Sequence, residues 1–549
     1  MSKIVTVIFK NQEAKNNNIS QLKKVEEWLK TEYAELELKV LADETSTIFI
    51  IGNYQEANIK LDNGILGFSN AENWKDSEII PDGNFFIYRK NNNVLQLISD
   101  ASLSRSVYYY QTENYFIFSS LQIPIIIFNT TFIYEKENSP WFLTSGIHKP
   151  FHSFDQRIKI VPPQTILSFN LNTFEYVTEK YSIDIATTSD SFKDVLGVIK
   201  SSFIDTFPKD KKAILLSGGI DSRLILHLIE EKTDLAAITW SKQLNDDSST
   251  DLSIAKEIAK KYNLEHEIIH LKNADFNTAF ELFLKYSEGR IDMISGYLDG
   301  FEAWKFIKKM KLSALFRGDE TFSLYNGDNF SLVRHRNGLL GFDDIETPIN
   351  KYLIDKNVDF SLVNQHSGET LNSYAKRIRI DYRLPAILGI LNEIKCNFVE
   401  VYNPLLNNSI VAYSNQLNPD IDYREKYFKK FNKEYSNIKY ASKVSIERVD
   451  DFLIKYKKEI VERFEHINSD VFTKIGFDNE MILQLINRLS KNSLPKKSKW
   501  SILKSLLPKK FKKKFLKLKK HQLSDVRIAF RILILAETFV KIEKGLYEN

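Results

Sequence analysis

Residues 213–226 read AILLSGGIDSRLIL, and this stretch decides the fold of the chain. Its first four residues are apolar, which predicts a buried parallel strand over 213–216. Residues 223–231 follow a helical pattern that places Leu224, Ile225 and Leu228 on one face. A strand that turns straight into a helix through SGGIDS is typical of a loop that binds phosphate groups.

The residue types in the turn fit a pyrophosphate. Gly218 and Gly219 carry no Cβ, so the backbone can approach an anion closely, and the N–H groups at the helix N-terminus point at it. Ser217 and Ser222 add hydroxyl donors. Asp221 would repel phosphate, so we expect it to bind the Mg²⁺ that bridges the phosphates. The alternative is a tight, serine-capped turn with a left-handed glycine and no ligand.

Composition is typical of an intracellular enzyme with several domains. The chain has 549 residues, of which 43% are hydrophobic and 13% aromatic, so two or three packed domains are expected. Cys396 is the one cysteine, which excludes an internal disulfide and favours a reducing compartment. The sequence has no apolar run of 18 residues and no signal-peptide pattern at its start, so we expect a cytoplasmic protein.

The charge of the chain is unevenly distributed. Residues 491–520 contain 13 lysines and no acidic residue, which leaves a net charge of −8 on the rest of the chain. Phe511, Phe515 and Leu518 recur there at helical spacing, which predicts a basic amphipathic helix. It could bind a precursor peptide, a partner enzyme or, less favourably, an anionic membrane, or it could pack on its own protein. No nucleic-acid motif accompanies it, so nucleic acid is not expected.

The pattern of elements divides the chain at about residue 185. Residues 1–185 are rich in short β-type runs separated by Asn, Asp and Gly turns, which predicts a β-rich domain. From 186 strands and helices alternate, which predicts a doubly wound α/β domain, and the last third reads as mostly helical. The expected strands are 47–51, 85–88, 107–110, 115–119, 213–216, 235–239, 265–270 and 312–316, and the expected helices include 191–207 and 252–262.

The loop resembles the PP-loop of the ATP pyrophosphatase class, and the whole chain resembles the asparagine synthetase family. Residues 82–126, DGNFFIYRKNNNVLQLISDASLSRSVYYYQTENYFIFSSLQIPII, are similar to that family's glutamine amidotransferase-like domain, and RGDETFSLYNG at 317–327 is similar to its G-x-G-x-D-E-x-F-x-G-Y motif. FVEVYNPLLN at 398–407 is similar to its E-x-R-x-P-F-L-D element. The resemblance implies an α+β sandwich of the Ntn-hydrolase type, followed by an α/β PP-loop synthetase domain with a helical C-terminal part.

The resemblance also implies site residues. ATP would contact nine of them: Leu216, Ser217, Gly218, Gly219, Asp221, Ser222, Thr239, Trp240 and Gly318. Asp221, Asp319 and Glu320 would bind Mg²⁺, although Glu320 could instead hydrogen-bond the loop from outside. Lys443 falls where the family has a catalytic lysine, and Glu400 would orient an amine or form a structural ion pair.

The departures from the family pattern bear on the substrate. A glutaminase of this family needs a nucleophilic cysteine at position 2, but this chain has Ser2 and no N-G-E-I-Y-N string, so glutamine hydrolysis is not expected. That state resembles the β-lactam synthetases and lasso-peptide cyclases, which use an amine already on the substrate. Phe316 stands where asparagine synthetase has glutamate and β-lactam synthetase has tyrosine, so neither substrate preference is expected, and Tyr402 replaces the arginine of the E-x-R element.

Three functions remain open from the sequence. The first is an ATP- and Mg²⁺-dependent ligase that adenylates a carboxylate and joins it to an amine of a peptide or natural product. The second is amidation of aspartate or another acid with ammonia. The third is a non-catalytic scaffold, against which the intact SGGIDS and DE motifs argue.

Overall fold

The computed structural model describes residues 2–52, 58–71, 73–76, 78–185, 187, 189–203, 211–242, 249–323, 329–339, 345–435, 437–441, 449–491 and 523–547. Lys443 and, apart from Lys491, the lysine-rich segment 491–520 lie outside these residues. The predictions made for them stay predictions.

Two antiparallel sheets pack face to face in the N-terminal part. The first has the order β2-β3-β1-β8-β7-β9 and the second β11-β10-β6-β5-β4. Their strands are β1 (Ser2–Phe9), β2 (Leu38–Ala42), β3 (Ser46–Gly52), β4 (Asn63–Ser69), β5 (Gly83–Asn91), β6 (Val94–Ser99), β7 (Tyr108–Gln111), β8 (Tyr115–Ser119), β9 (Lys159–Ile160), β10 (Thr165–Asn170) and β11 (Glu175–Lys180). The predicted strands of this part are confirmed.

Alternation along β1 explains the layers. Ile4 and Ile8 enter the core between the sheets, whereas Val5 and Val7 point to the opposite face. Helices cover that opposite face, with Trp28 among the residues buried against it. They are α1 (Gln12–Asn17), α2 (Ile19–Glu32), α3 (Ile123–Asn129) and α4 (Asn138–Ser145). The structure therefore has the predicted sandwich, while the relationship to Ntn hydrolases stays a prediction.

A five-stranded parallel sheet forms the centre of the second part, with the order β14-β13-β12-β15-β16. The strands are β12 (Lys212–Leu215), β13 (Leu235–Ser241), β14 (Glu265–His270), β15 (Ala314–Phe316) and β16 (Val401–Tyr402). Helix α5 (Phe192–Ser202) precedes β12, and the helices between the strands are α6 (Ile220–Leu228), α7 (Asp251–Lys261), α8 (Phe276–Ser287), α9 (Glu302–Lys309), α10 (Phe330–Arg336), α11 (Glu346–Tyr352), α12 (Leu371–Arg377) and α13 (Gly389–Lys395).

This sheet is doubly wound, as predicted. Ile214 packs with α5, α6 and α7 on one face, and Ala213 faces the core that contains α8 and α9 on the other. The strand order reverses between β12 and β15, and a doubly wound sheet binds its ligand past the carboxyl ends of the strands at such a point. The predicted domain boundary at 185 falls between β11 and α5.

The remainder is helical, as predicted. Its helices are α14 (Asn408–Gln416), α15 (Lys429–Tyr435), α16 (Val449–Lys455), α17 (Lys457–Glu465), α18 (Asp470–Lys474), α19 (Asn479–Lys491) and α20 (Asp525–Tyr547), with π-helical segments at Ile378–Leu388 and Arg424–Phe428. The 23-residue α20 packs on α3 and α4, so the N-terminal helices and the C-terminal part share one core. In the described part of the chain, no helix combines the length and apolarity needed to span a bilayer.

Candidate nucleotide and metal site

A cavity of about 250 Å³ opens at the carboxyl ends of β12, β13 and β15. The predicted site residues that line it share this edge of the sheet: Leu216, Ser217, Asp221, Ser222, Thr239, Trp240, Gly318 and Asp319. Asp251 and Arg317 also line it, and neither had been singled out from the sequence. The structure thus brings residues from three strands to one cavity at the switch point of the sheet.

The loop after β12 is held together by its two serines. Ser217 Oγ lies 3.0 Å from Ser222 Oγ and accepts the Gly219 N–H at 3.1 Å. Gly219 caps α6 with φ −80° and ψ 177°, and neither glycine of the loop has a positive φ. The left-handed turn considered from the sequence is therefore absent, and the helix begins at Ile220, three residues earlier than predicted.

The glycines provide space for close approaches. A Cβ at Gly218 would lie 2.8 Å from Ala441 Cβ and 3.0 Å from Asp251 Oδ1. Asp251 belongs to the first turn of α7, and its carboxylate accepts the Gly218 N–H at 3.0 Å. The Asp251 carboxylate therefore accepts the hydrogen bond of the Gly218 N–H, a loop donor of the kind that binds phosphate oxygens.

Gly318 brings the end of β15 against the first turn of α6. A Cβ there would lie 3.0 Å from Ser222 N and 3.1 Å from the Asp221 carbonyl carbon. These are backbone atoms of a packed helix, so they cannot rotate away as the end of a flexible side chain would.

Gly318→Ala is therefore expected to push the end of β15 away from the first turn of α6 and to slow turnover about tenfold to a hundredfold, because small displacements of reacting groups are costly. The loss of stability should be only about 1–3 kcal/mol. Gly197→Ala is the matched control, because it lies within α5 and a Cβ there meets no atom within 4 Å. Rates of ATP–pyrophosphate exchange and melting temperatures of both variants test this; equal exchange rates for the two would contradict it.

Asp221 forms a two-point ion pair with Arg424. Arg424 donates from Nε to Asp221 Oδ1 at 2.7 Å and from Nη2 to Oδ2 at 3.1 Å. Burial raises the pKa of Asp221, the nearby Glu320 raises it further, and Arg424 opposes both. Arg424 is the first residue of the π-helical segment Arg424–Phe428, a type of segment that is frequent at functional sites.

Asp319 pairs with an arginine as well. Arg317 Nε donates to Asp319 Oδ2 at 2.7 Å. Burial alone would raise the pKa of Asp319, but Arg317 and Lys395 outweigh it and hold that pKa below its usual value. Burial, together with the charge of Arg317, in turn lowers the pKa of Lys395 to about 7. Both predicted metal-binding aspartates are therefore compensated by half-buried arginines.

Glu320 points into its own loop rather than into the cavity. Its carboxylate accepts hydrogen bonds from Ser323 N at 2.9 Å, from Ser323 Oγ at 2.6 Å and from Phe322 N. Arg379 Nη2 donates to Glu320 Oε1 at 3.2 Å. This geometry favours the second of the two roles considered from the sequence, in which Glu320 shapes the loop from outside.

Thr239 and Trp240 lie within β13 rather than after it, because the strand extends to Ser241, two residues past its predicted end. Thr239 Oγ1 donates to the Leu216 carbonyl at 2.7 Å and lies 2.9 Å from His266 Nε2, which ties β12, β13 and β14 together. The Trp240 ring contacts Trp304 edge to face with ring centroids 5.4 Å apart. An aromatic ring and apolar strand ends on this side of the cavity suit an adenine base.

Glu400 does not line the cavity. It precedes β16, and its Oε2 accepts a hydrogen bond from Arg105 Nη2 of the sandwich at 2.6 Å. Burial would raise the pKa of Glu400, but the positive charges around it, Arg105 included, lower it to about 2. The geometry favours the structural ion pair over the predicted catalytic role.

The donor set of the cavity fits Mg²⁺. Mg²⁺ is commonly held by one or two carboxylates together with substrate phosphates and water. Asp221 in the first turn of α6 and Asp319 after β15 both line the cavity and offer those carboxylates. Within the described residues there is no group of three or more His, Cys, Asp or Glu side chains that could bind a metal without such a substrate.

These features define an α/β domain of the doubly wound class with a glycine-containing loop and a cavity at its switch point. Residues 210–336 match the family model described as asparagine synthase. Over 205 residues the chain is 24% identical to "Putative asparagine synthetase (glutamine-hydrolyzing) 1" of Methanocaldococcus jannaschii, a match that covers 35% of this chain and 34% of that protein. Residues 210–336 are therefore similar to the asparagine synthase family, and the chain spans about a third of the length of that relative.

A solved structure is also similar in part. Glutamine-dependent NAD⁺ synthetase from Acinetobacter baumannii, in complex with adenosine diphosphate, matches 63% of this chain and 52% of its own. Sequence identity is 13% and the TM-score is 0.20. A likeness at this TM-score has no bearing on the fold.

Proposed function

We propose that this chain is an ATP-dependent ligase that adenylates a carboxylate and joins it to an amine, in peptide or natural-product tailoring such as macrolactam formation. The observation that carries the proposal is the cavity at the switch point, lined by the phosphate loop from β12 and by Asp319 from β15. The asparagine synthase match over residues 210–336 supports ATP-dependent ligase chemistry in the same segment.

The proposed reaction has two balanced steps. A carboxylate oxygen of the acid attacks the α-phosphorus of ATP, the bond to the bridging oxygen breaks, and pyrophosphate leaves. The amine then attacks the acyl carbon of the adenylate, loses a proton, and expels AMP as the amide forms. The first step activates the acid because AMP is a far better leaving group than hydroxide.

The chain's own residues would assist at defined points. The N–H groups at the start of α6 would bind the departing pyrophosphate, and the dipole of that helix favours its charge. Asp221 and Asp319 would hold Mg²⁺. When bound, Mg²⁺ neutralises phosphate charge and orients the oxygens. Lys443, outside the described residues, would stabilise the oxyanion as AMP leaves.

The junction between the two parts of the chain supports an amine that does not come from glutamine. Arg105 pairs with Glu400 across this junction, and Arg290 pairs with Glu393, which also accepts the Ser106 N–H. A sandwich fixed in place by buried ion pairs has a structural use that needs no glutaminase reaction. Their presence supports a sandwich that serves as a scaffold.

ATP–pyrophosphate exchange with Mg²⁺ tests the function directly. The purified chain would be offered a panel of carboxylates without glutamine, including aspartate and peptides encoded by neighbouring genes. Exchange that depends on one acid, with AMP as the nucleotide product, would support the proposal. ADP and phosphate as products would overturn it, and asparagine made from aspartate and ammonia would replace the tailoring role by simple amidation.

The lysine-rich segment 491–520 is the surface we propose for a precursor peptide or partner enzyme. Its 13 lysines favour an acidic partner. Replacing a block of these lysines by serine should weaken binding of an acidic peptide substrate without changing ATP binding.

A further inference from the structure

The cavity is electrostatically unsuited to a nucleotide without added positive charge. Three aspartates line it, namely Asp221, Asp251 and Asp319. Arg317 is the one lysine or arginine among the described residues that line it. Since ATP is a polyanion, the charge of Arg317 is valuable there beyond its pairing with Asp319.

Arg317 has donor capacity left. It uses only Nε for Asp319, whereas Arg424 uses two nitrogens for Asp221. No other side-chain hydrogen bond of Arg317 occurs within the described residues, and 27% of its side chain is exposed. The two terminal NH₂ groups of its guanidinium are therefore available to a ligand. Such a planar pair of donors matches the oxygens of a phosphoryl group.

Main-chain contacts fix the position of the Arg317 backbone, from which the side chain extends. Arg317 N donates to the Tyr402 carbonyl at 2.9 Å, which continues the pairing of β15 with β16. The next residue, Gly318, packs on the first turn of α6 beside Asp221 and Ser222. In the G-x-G-x-D-E motif that this segment resembles, the place two residues before the aspartate is glycine, so the cation is a departure from that motif.

We propose that Arg317 is a catalytic residue whose terminal amines bind the non-bridging oxygens of the α-phosphoryl group of ATP. The inference rests on the proposed function, since the proposed adenylation is the step in which the α-phosphorus of ATP is attacked. The pyrophosphate end would have the loop amides and the α6 N-terminus as donors. The α-phosphoryl group gains negative charge as the acid attacks, and Arg317 is placed to stabilise that charge.

Binding measurements that need no acid substrate test the proposal. The probes are adenosine, AMP, pyrophosphate and the two diastereomers of ATP that carry sulfur in place of one non-bridging α-oxygen, each titrated calorimetrically with saturating Mg²⁺. Arg317→Gln should weaken AMP binding about tenfold to a hundredfold and leave adenosine and pyrophosphate binding within about twofold. The wild-type preference between the diastereomers should disappear, and Arg317→Lys should keep part of it.

Arg424→Gln is the matched control. It also removes an arginine from a metal-binding aspartate, but Arg424 does not line the cavity, so the variant should keep the preference between diastereomers. The proposal is overturned if Arg317→Gln keeps AMP affinity and that preference, or if pyrophosphate binding falls instead. Wild-type protein that binds none of the nucleotides would count against the proposed function itself, and thermal melts identify a variant that fails to fold.

Discussion

Asp221→Asn is expected to lower Mg²⁺-dependent ATP–pyrophosphate exchange at least about a thousandfold, which corresponds to about 4 kcal/mol of transition-state stabilisation. Asparagine has the shape of aspartate but neither its charge nor its full capacity to bind Mg²⁺. The side chain lies on the first turn of α6, where it lines the cavity together with Asp319. Exchange rates measured across a range of Mg²⁺ concentrations test this.

The ion pair with Arg424 suggests an alternative role for Asp221, namely to hold Arg424 in place, and this alternative can be tested. If Asp221 served only to hold Arg424, then Arg424→Gln would be at least as damaging as Asp221→Asn, because the glutamine removes the guanidinium that donates both hydrogen bonds, whereas asparagine keeps one acceptor oxygen. If Asp221 binds metal, Arg424→Gln should lose less than about tenfold in exchange and should need no more Mg²⁺ than the wild type. Full exchange by Asp221→Asn would remove the metal role.

Much of the nucleotide cavity could be predicted because its signals are local. A buried apolar strand, two glycines and a helix N-terminus lie within 14 residues. Such a short pattern can be recognised without knowledge of the tertiary structure. Gly318 and Asp319 could be predicted from the resemblance of residues 317–327 to the family motif, and the structure brings both to the cavity. The sandwich strands could be predicted from their length and flanking turns.

The ion pairs could not be predicted because their partners are distant in the sequence. Arg424 lies 203 residues after Asp221, and Arg105 lies 295 residues before Glu400. No periodicity links such residues, so the sequence left Glu400 open between a role in orienting an amine and a structural ion pair. Arg317 is different, since an arginine two residues before Asp319 is a local charge pattern that marks it as a candidate.

The junction of the two parts gives the largest expected effect on stability. Glu393 is 6% exposed and Arg290 3%, and their side chains form an ion pair in which Arg290 Nη2 donates to Glu393 Oε2. Arg290 also donates to Tyr108 Oη of the sandwich at 3.0 Å, and Glu393 accepts the Ser106 N–H. Burial would lower the pKa of Arg290, but Glu393 and its neighbours raise it, so the arginine is charged at every physiological pH.

Glu393→Ala should therefore destabilise the protein by about 3–5 kcal/mol, because it leaves a buried guanidinium without its counter-charge. Glu302→Ala is the control: its pair with Lys305 is exposed and should contribute less than about 1 kcal/mol. Urea denaturation of both variants measures the difference, and a Glu393→Ala midpoint equal to that of the control would refute it.

The same variant separates the stability of the junction from the chemistry of the cavity. Neither Glu393 nor Arg290 lines the nucleotide cavity, so the fraction of Glu393→Ala that remains folded should bind AMP with the wild-type affinity. Limited proteolysis should cut it faster than the wild type between β11 and α5, where the two parts of the chain join. Faster cleavage with unchanged AMP affinity would mean that the sandwich stabilises the second part of the chain without taking part in the proposed reaction.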